Sequence, residues 1–477
     1  MRSKLATASL LFLLLFLTGM GYAQFETERS NSQMFQSDQD SLHQRLLPEW
    51  FDDAKLGIFV HWGLYSVPAW SGKGEDAPKE SQVPHVEQAS WYLNTLRVAG
   101  SPTFKYHQQK YGRNFDYYQF VPAFNQAVRQ WKPEVWAKHF KEAGARYVVM
   151  TAKPPDGFSL WQSQVNNPNL KAKPERDLVG VLSKAFTEKG LKMGLYYSAG
   201  LDWTFSKFPM TTIGDEGQGL TQDEAYAAYV DAQYRELIQR YHPALLWNEI
   251  FYPKKGNFYA ILSDYYQRNP KGVVNDRWKG AYSGDYTTLK DLSQLPAPGR
   301  KWELIRSLGT SSGYSQTEPD SLMMSVNELV DLLVEVVSKN GNLLLGIGPK
   351  ADGTIPRGQL QRLKGLGEWL KINGEAIYGS RPWLRTGETS PEGVPLRYTR
   401  KGKSLYVLLL APPESGITFT IPAMTVTDHT VIELLGSEDV VSWVRNGEQL
   451  MITLPLELPG HYAYALKITP EPKNYSK

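Results

Sequence analysis

The 477-residue chain contains no cysteine, which excludes disulfides, thiolate-bound metal and a cysteine nucleophile. Its eight histidines stand at 43, 61, 85, 107, 139, 242, 429 and 461, and none is spaced as His-x-His or His-Glu-x-x-His. A zinc hydrolase centre is therefore not expected. Gly-x-Ser-x-Gly and a P-loop are missing too, which removes the usual sequence signs of serine-esterase and nucleoside-triphosphate chemistry. The nearest approach to a phosphate cradle is Gly346-Ile-Gly348-Pro-Lys-Ala-Asp-Gly353. Pro349 removes an amide that a phosphate would need, so the segment reads as a turn. Charge of one sign is also scarce. The 52 basic and 49 acidic residues leave a net of +3, which argues against a nucleic-acid partner and against a disordered acidic chain.

Long apolar runs are confined to the start. Arg2 and Lys4 precede the apolar stretch Leu5–Leu17, and Gly21-Tyr22-Ala23 supplies small residues for a signal peptidase. A signal peptide over 1–23 is expected, with export to the periplasm or the exterior. No later run holds 18 uninterrupted apolar residues, so no membrane contact is expected once the signal is cleaved. Residues 24–44 read as a polar leader.

What the chain has in quantity is aromatic: 14 Trp and 27 Tyr. Such rings stack on sugars, but they fill cores as well. From about 45 to 385, short β-type runs alternate with longer amphipathic stretches. The β-type runs are Gly57–His61, Tyr147–Lys153, Met193–Ser198, Ala244–Glu249, Val273–Arg277, Glu303–Leu308 and Asn342–Ile347; helix-like stretches include Pro133–Ala145, Arg176–Lys189, Asp223–Tyr241 and Val326–Lys339. This alternation predicts a parallel sheet with right-handed crossovers, and the number of units fits an α/β fold of the (β/α)8-barrel type. After about Pro382 the runs become short and alternating, as in Leu405–Leu410, Thr418–Ile421, Thr430–Leu435 and Gln449–Leu454. They predict a small antiparallel β-sandwich over 386–477.

In such a barrel the C-terminal strand ends line the pocket. The residues there are His61 beside Trp62, Glu249 after Trp247-Asn248, Arg306 after Glu303-Leu-Ile, and the strand-end carboxylates Asp202 and Asp276. Each has a plain structural reading: a satisfied core histidine, a salt-bridged carboxylate, a partner for a neighbouring Trp or Arg. Glu318, in the loop after Arg306, reads by itself as a solvated charge. Taken together, carboxylates in an aromatic-rich exported barrel suggest glycoside hydrolysis, which uses one carboxyl group as proton donor and another at the anomeric centre. Spacing alone does not identify the pair.

Several motifs resemble those of the α-L-fucosidases. They are Lys55-Leu-Gly-Ile-Phe-Val-His61-Trp-Gly-Leu-Tyr-Ser-Val-Pro-Ala-Trp70, Ala143-Gly-Ala-Arg-Tyr-Val-Val-Met-Thr-Ala-Lys153, Asp156-Gly-Phe, Arg176-Asp-Leu-Val and Gly194-Leu-Tyr-Tyr-Ser. Val337-Ser-Lys-Asn-Gly-Asn-Leu-Leu-Leu, Asp352-Gly-Thr-Ile-Pro and Asn373-Gly-Glu-Ala-Ile-Tyr-Gly follow in order. The resemblance implies a retaining, exo-acting hydrolase of oligosaccharides or glycosides that needs no metal or organic cofactor. It places the nucleophile at Glu249 and the acid/base at Glu318, with sugar contacts at His61, Trp91, Tyr196, Trp247 and Arg306. Assembly into a homo-oligomer is left open.

Four positions depart from the family pattern. Pro154-Pro155 replaces a His-His pair, Ser90 replaces a Glu before Trp91-Tyr92, Glu249 replaces Asp, and Gly346 replaces Asn. Two imidazole donors and a carboxylate acceptor are thus lost from a site that would grip a polyol. A sugar hydroxyl buried without a partner costs about 1–3 kcal/mol. The expectation is a preference shifted from L-fucose to another L-hexose, such as an α-L-glucoside. The alternatives are a true α-L-fucosidase that tolerates the changes and an inactive sugar-binding homologue.

Overall fold

A computed structural model describes residues 42, 45–72, 88–211, 223–278, 284–413 and 417–474. The expected signal peptide, nearly all of the leader, and the middle of the long segment after the first strand lie outside the described residues. Among the described residues no helix is long and apolar enough to cross a membrane.

Eight strands form one sheet: β1 Leu56–Val60, β2 Tyr147–Lys153, β3 Lys192–Ser198, β4 Leu245–Glu249, β5 Val273–Val274, β6 Thr287–Leu289, β7 Trp302–Ser307 and β8 Gly341–Ile347. Their order is β5-β4-β3-β2-β1-β8-β7-β6, and every pairing is parallel. β6 is the strand that the apolar pattern does not reveal: three half-buried residues are too few to show a period.

The sheet curls until its two edges meet. Asp285 joins them: its amide donates to the Val274 carbonyl at 2.9 Å, and its carboxylate accepts from the Val274 amide at 2.7 Å. The chain passes close enough here to require glycine. Gly284 has φ +60°, and a Cβ on it would lie 2.2 Å from the Asn275 carbonyl oxygen.

Helices cover the outside: α1 Pro133–Glu142, α2 Leu178–Glu188, α3 Glu224–Tyr241, α4 Phe258–Arg268, α5 Val326–Ser338 and α6 Arg357–Ile377. α5 shows why these sequences become helices. Ser325 and Glu328 form a reciprocal capping box at its start, and Leu329, Val330, Leu333, Val334 and Val337 make a fully buried stripe.

Inside the barrel the period is two. Phe59, Tyr147, Val149, Tyr196, Leu245, Trp247, Val273, Tyr286 and Leu344 fill the interior in one cluster. At the closed end Glu303 is buried, accepting from the Tyr147 hydroxyl at 2.6 Å and the Trp247 indole at 3.2 Å. Desolvation pushes its carboxyl up to about 7, against those hydrogen bonds.

The C-terminal region is antiparallel. Its strands are β9 Arg381–Thr389, β10 Pro395–Lys401, β11 Ser404–Leu409, β12 Thr418–Ile421, β13 Met424–Thr425, β14 Val431–Leu434, β15 Ser442–Asn446, β16 Gln449–Thr453, β17 Tyr464–Thr469 and β18 Lys473–Asn474. A five-stranded sheet, β14-β17-β11-β10-β9, and a three-stranded sheet, β12-β16-β15, share one core containing Leu405, Val407, Phe419, Ile421, Leu450 and Ile452. The Trp369 indole of α6 donates to the Ala463 carbonyl at 2.7 Å, tying this region to the barrel.

Candidate active site

The period of two that fills the barrel also builds the site. Along β4, Leu245 and Trp247 face the interior, and Glu249 stands on the next rung at the strand's C-terminal end. The next two residues, Ile250 and Phe251, both have positive φ, +50° and +60°. For a β-branched residue that is a strained conformation, and strain of this kind collects at functional sites. On β6 the interior rungs run Tyr286, Thr288, Lys290, and after β5 the chain delivers Arg277 to the same rim.

These rungs open into a cavity of about 680 Å³. Arg277 anchors the carboxylate. It donates through Nη1 to Glu249 Oε1 at 2.7 Å and through Nε to Thr288 Oγ1 at 2.9 Å. Thr288 Oγ1 donates in turn to Asp276 Oδ1 at 2.7 Å. The guanidinium also lies over the Trp247 ring, 4.8 Å from its centre. Glu249 is thereby aimed into the cavity.

Aromatic rings form the deep wall. Tyr196 stacks on Trp247 with ring centres 5.6 Å apart. Burial, and then the neighbouring Glu249 charge, pushes its phenol well up. His61 packs on Phe59 at 4.3 Å, and burial pushes its imidazole down to about 4, so it is neutral at physiological pH. Trp91 meets Trp203 edge-on at 5.4 Å, and the Trp203 amide donates to the Pro155 carbonyl at 2.7 Å. Pro154 and Pro155 therefore belong to the wall itself, immediately after a fully buried Lys153–Asp202 ion pair of 2.9 Å.

His61, Ser90, Trp91, Pro154 and Pro155 all line this one cavity, as do Tyr196, Trp247, Glu249 and Arg306. Glu318 does not. Its Oε1 accepts from the Thr310 amide and from the Thr310 hydroxyl, the latter at 2.6 Å, and from the Ser311 amide at 3.2 Å. It lies directly behind Gly309, where a Cβ would come within 2.5 Å of it. It adjoins the lining residues Gly309 and Thr310 without lining the cavity itself. The loop folds back so that this carboxylate satisfies three donors within its own turn. Among the described residues, Glu249 is the sole carboxylate lining the cavity.

Asp202 and Asp276 are structural, held by Lys153 and Thr288 respectively. Asp156 is buried behind the proline pair, bonded to the Tyr117 hydroxyl at 2.7 Å, and desolvation pushes it up to about 7. Two charged lining residues escaped the sequence reading. Arg277 sits in the Asn275-Asp276-Arg277-Trp278 segment, where it reads as a mere neighbour of Asp276, and Lys290 follows the strand that the pattern does not reveal.

The Alpha-L-fucosidase family profile matches residues 22–375, and the Alpha-L-fucosidase C-terminal domain profile matches 392–469. The chain belongs to the α-L-fucosidase family. It is therefore a glycoside hydrolase by family and acts on glycosides. It is 34% identical to human tissue alpha-L-fucosidase, covering 98% of each chain, and 32% identical to the Dictyostelium discoideum alpha-L-fucosidase, covering 92% of this chain and 96% of that one. Among solved structures, Thermotoga maritima alpha-fucosidase in complex with fucose is 40% identical with a TM-score of 0.83, covering 91% of this chain and 100% of the other. Alpha-L-fucosidase isoenzyme 1 from Paenibacillus thiaminolyticus is 26% identical with a TM-score of 0.69, over 89% of this chain and 98% of that one. The barrel with its C-terminal β domain is the architecture this chain shares with the Thermotoga maritima structure.

Proposed function

We propose that the protein is an exported, exo-acting, retaining α-L-fucosidase in which Glu249 is the nucleophile. The observation that carries this reading is the placement of Glu249. It ends a barrel strand, is fixed by Arg277, and stands one rung beyond the Trp247–Tyr196 stack at the wall of the cavity. In the first step the Glu249 carboxylate attacks the anomeric carbon, the bond to the leaving oxygen breaks with its electron pair going to that oxygen, which takes up a proton from solvent, and a glycosyl ester forms. Water then attacks the anomeric carbon, losing a proton to solvent, and the ester bond breaks to regenerate the carboxylate. His61, Trp91 and Tyr196 hold the ring during both steps.

The glycone is L-fucose on this reading. The named relatives support it over the L-glucose type of sugar that the substitutions at Ser90, Pro154 and Pro155 suggest. With no second carboxylate among the described lining residues, departure of the leaving group depends on its own acidity, which favours aryl over alkyl glycosides. The deciding experiment compares kcat/KM on aryl α-L-fucoside, α-L-glucoside and α-L-galactoside. This reading expects the fucoside to be cleaved fastest by a wide margin. Faster cleavage of either of the others rejects L-fucose as the glycone.

A further inference from the structure

The cavity exposes apolar side chains at its mouth. Ile250, Phe251, Ile305, Leu308, Leu322 and Met324 all belong to its lining. Two of them stand half in water, Phe251 at 50% and Leu322 at 54% exposure. The floor is shielded by contrast, with Trp247 at 1% and Tyr196 at 8%. A hydrophobic side chain exposed by itself needs no explanation. Several on the wall of one concave site mark a binding surface.

Phe251 is held there against its backbone preference. Glu249 is fixed by Arg277, and beyond the turn the buried Tyr252 donates its amide to the Trp278 carbonyl at 2.6 Å. The two residues between these anchors, Ile250 and Phe251, take φ of +50° and +60°. Asn or Gly would sit there relaxed; a β-branched and an aromatic residue do not. What Phe251 supplies in return is a ring at the cavity mouth, two residues beyond Glu249. Leu322 comes from the segment after β7, at the end of the short turn Asp320–Leu322. The Met324 amide donates to the Leu308 carbonyl at 2.9 Å and ties that segment to the barrel. Lys290 and Arg306 share the rim, and long basic side chains lay apolar stems along such a surface while their heads face water. An exo-acting enzyme seats the terminal sugar on the floor and directs the leaving group to the mouth.

We infer that the mouth of the cavity recognises an apolar aglycone, an aromatic or alkyl group on the leaving oxygen, with Phe251 and Leu322 as its specificity-determining contacts. The preferred substrate is then the glycoside of an apolar alcohol or phenol rather than an oligosaccharide. This rests on the reading of the cavity as a fucosidase site, and it extends that reading to the leaving-group side. Apolar area removed from water on both partners supplies the affinity, which therefore grows with the size of the aglycone.

The experiment has two arms. In the first, kcat and KM are measured on methyl, butyl and hexyl α-L-fucoside and on a neutral α-L-fucosyl disaccharide. The three alkyl alcohols leave with nearly equal acidity, so a trend along the series reports contact with the chain and not ease of bond cleavage. In the second, the wild-type protein is titrated calorimetrically with naphthol, which carries no sugar and no bond to cleave. KM should fall about tenfold from methyl to hexyl, and naphthol should bind. Both effects should shrink in Phe251→Asn/Leu322→Ser. Asn suits the positive φ at 251, and both side chains are exposed, so the double variant keeps its fold. A rising alkyl series without naphthol binding supports the inference and narrows the aglycone to a flexible chain. A flat alkyl series overturns it and leaves the fucosidase reading standing. So does a disaccharide KM below that of the hexyl glycoside, or a trend that the double variant keeps in full. Naphthol binding that the double variant loses, with no fucoside cleaved, would leave the apolar site standing and remove the fucosidase reading. Absence of both cleavage and naphthol binding overturns the inference and the fucosidase reading together.

Discussion

Arg277 holds Glu249 from a strand that hardly exists. β5 has two residues, yet the guanidinium that follows it donates to Glu249 Oε1 at 2.7 Å and to Thr288 across the seam of the barrel. The site and the closure of the sheet thus depend on the same side chain. Replacing Arg277 by Gln should lower kcat/KM on an aryl α-L-fucoside by about ten- to a hundredfold, the range of a charge-assisted hydrogen bond. Steady-state kinetics of Arg277→Gln check this, and an unchanged kcat/KM would show that the ion pair is not needed.

Glu249→Ala should lose turnover on the order of a thousandfold, since no other described carboxylate lines the cavity to take over. Azide fills the space of the missing carboxylate and attacks from the same face. Recovery of activity with formation of a β-azide product, read by NMR, is the expected result. Activity without azide close to that of the wild type would exclude Glu249 as nucleophile.

Glu318 is a loop lock. Glu318→Gln should lower thermal stability by about 1 kcal/mol, because amides of Thr310 and Ser311 lose a charged acceptor. Its effect on kcat should be equal for an aryl fucoside and a fucosyl disaccharide. A proton donor behaves otherwise: its loss spares the aryl substrate and stops the disaccharide. That pattern would restore Glu318 to catalysis.

Buried Glu303 makes stability depend on pH. Its folded carboxyl stands at about 7, above the ordinary 4.5. The native state therefore holds a proton that the unfolded chain has released. The contribution is fully present below about 4.5 and is lost as pH rises through about 7. The melting temperature of wild type should fall relative to that of Glu303→Gln as pH rises across this window, the change in the difference reporting Glu303 alone. Parallel curves would mean that Glu303 does not titrate there.

The proline pair can be tested by reversing it. His at 154 and 155 restores two donors to the wall, each worth about 1–3 kcal/mol if it reaches a sugar hydroxyl. KM for an aryl α-L-fucoside should fall about tenfold in Pro154→His/Pro155→His. The backbone there is already fixed, through the Pro154 and Pro155 carbonyls accepting from Gly157 and Trp203, so an unchanged KM would place the imidazoles away from the sugar.

The long strands and the strand-end residues were legible because their patterns are local. β2 runs over Tyr147–Lys153 as its apolar run predicts, and Trp247 and Glu249 share a face by the period of two. β6 was not legible: its three residues are held by the seam, through Asp285 and Thr288, rather than by their own pattern. Missing that strand meant missing Lys290. Arg277 escaped for a related reason, since its partner lies on another strand and no spacing along the chain reveals it. Glu318 is a different case. It follows Gly-Tyr at the spacing that the family resemblance suggests, but three donors in its own loop hold it behind Gly309.

The most direct test of the account is covalent trapping. A 2-deoxy-2-fluoro-L-fucosyl fluoride slows both steps and should leave the sugar esterified to the enzyme. Peptide mapping by mass spectrometry should then find the fluorofucosyl mass on the peptide containing Glu249. No adduct, or an adduct carried by another carboxylate such as Glu318, would contradict the account.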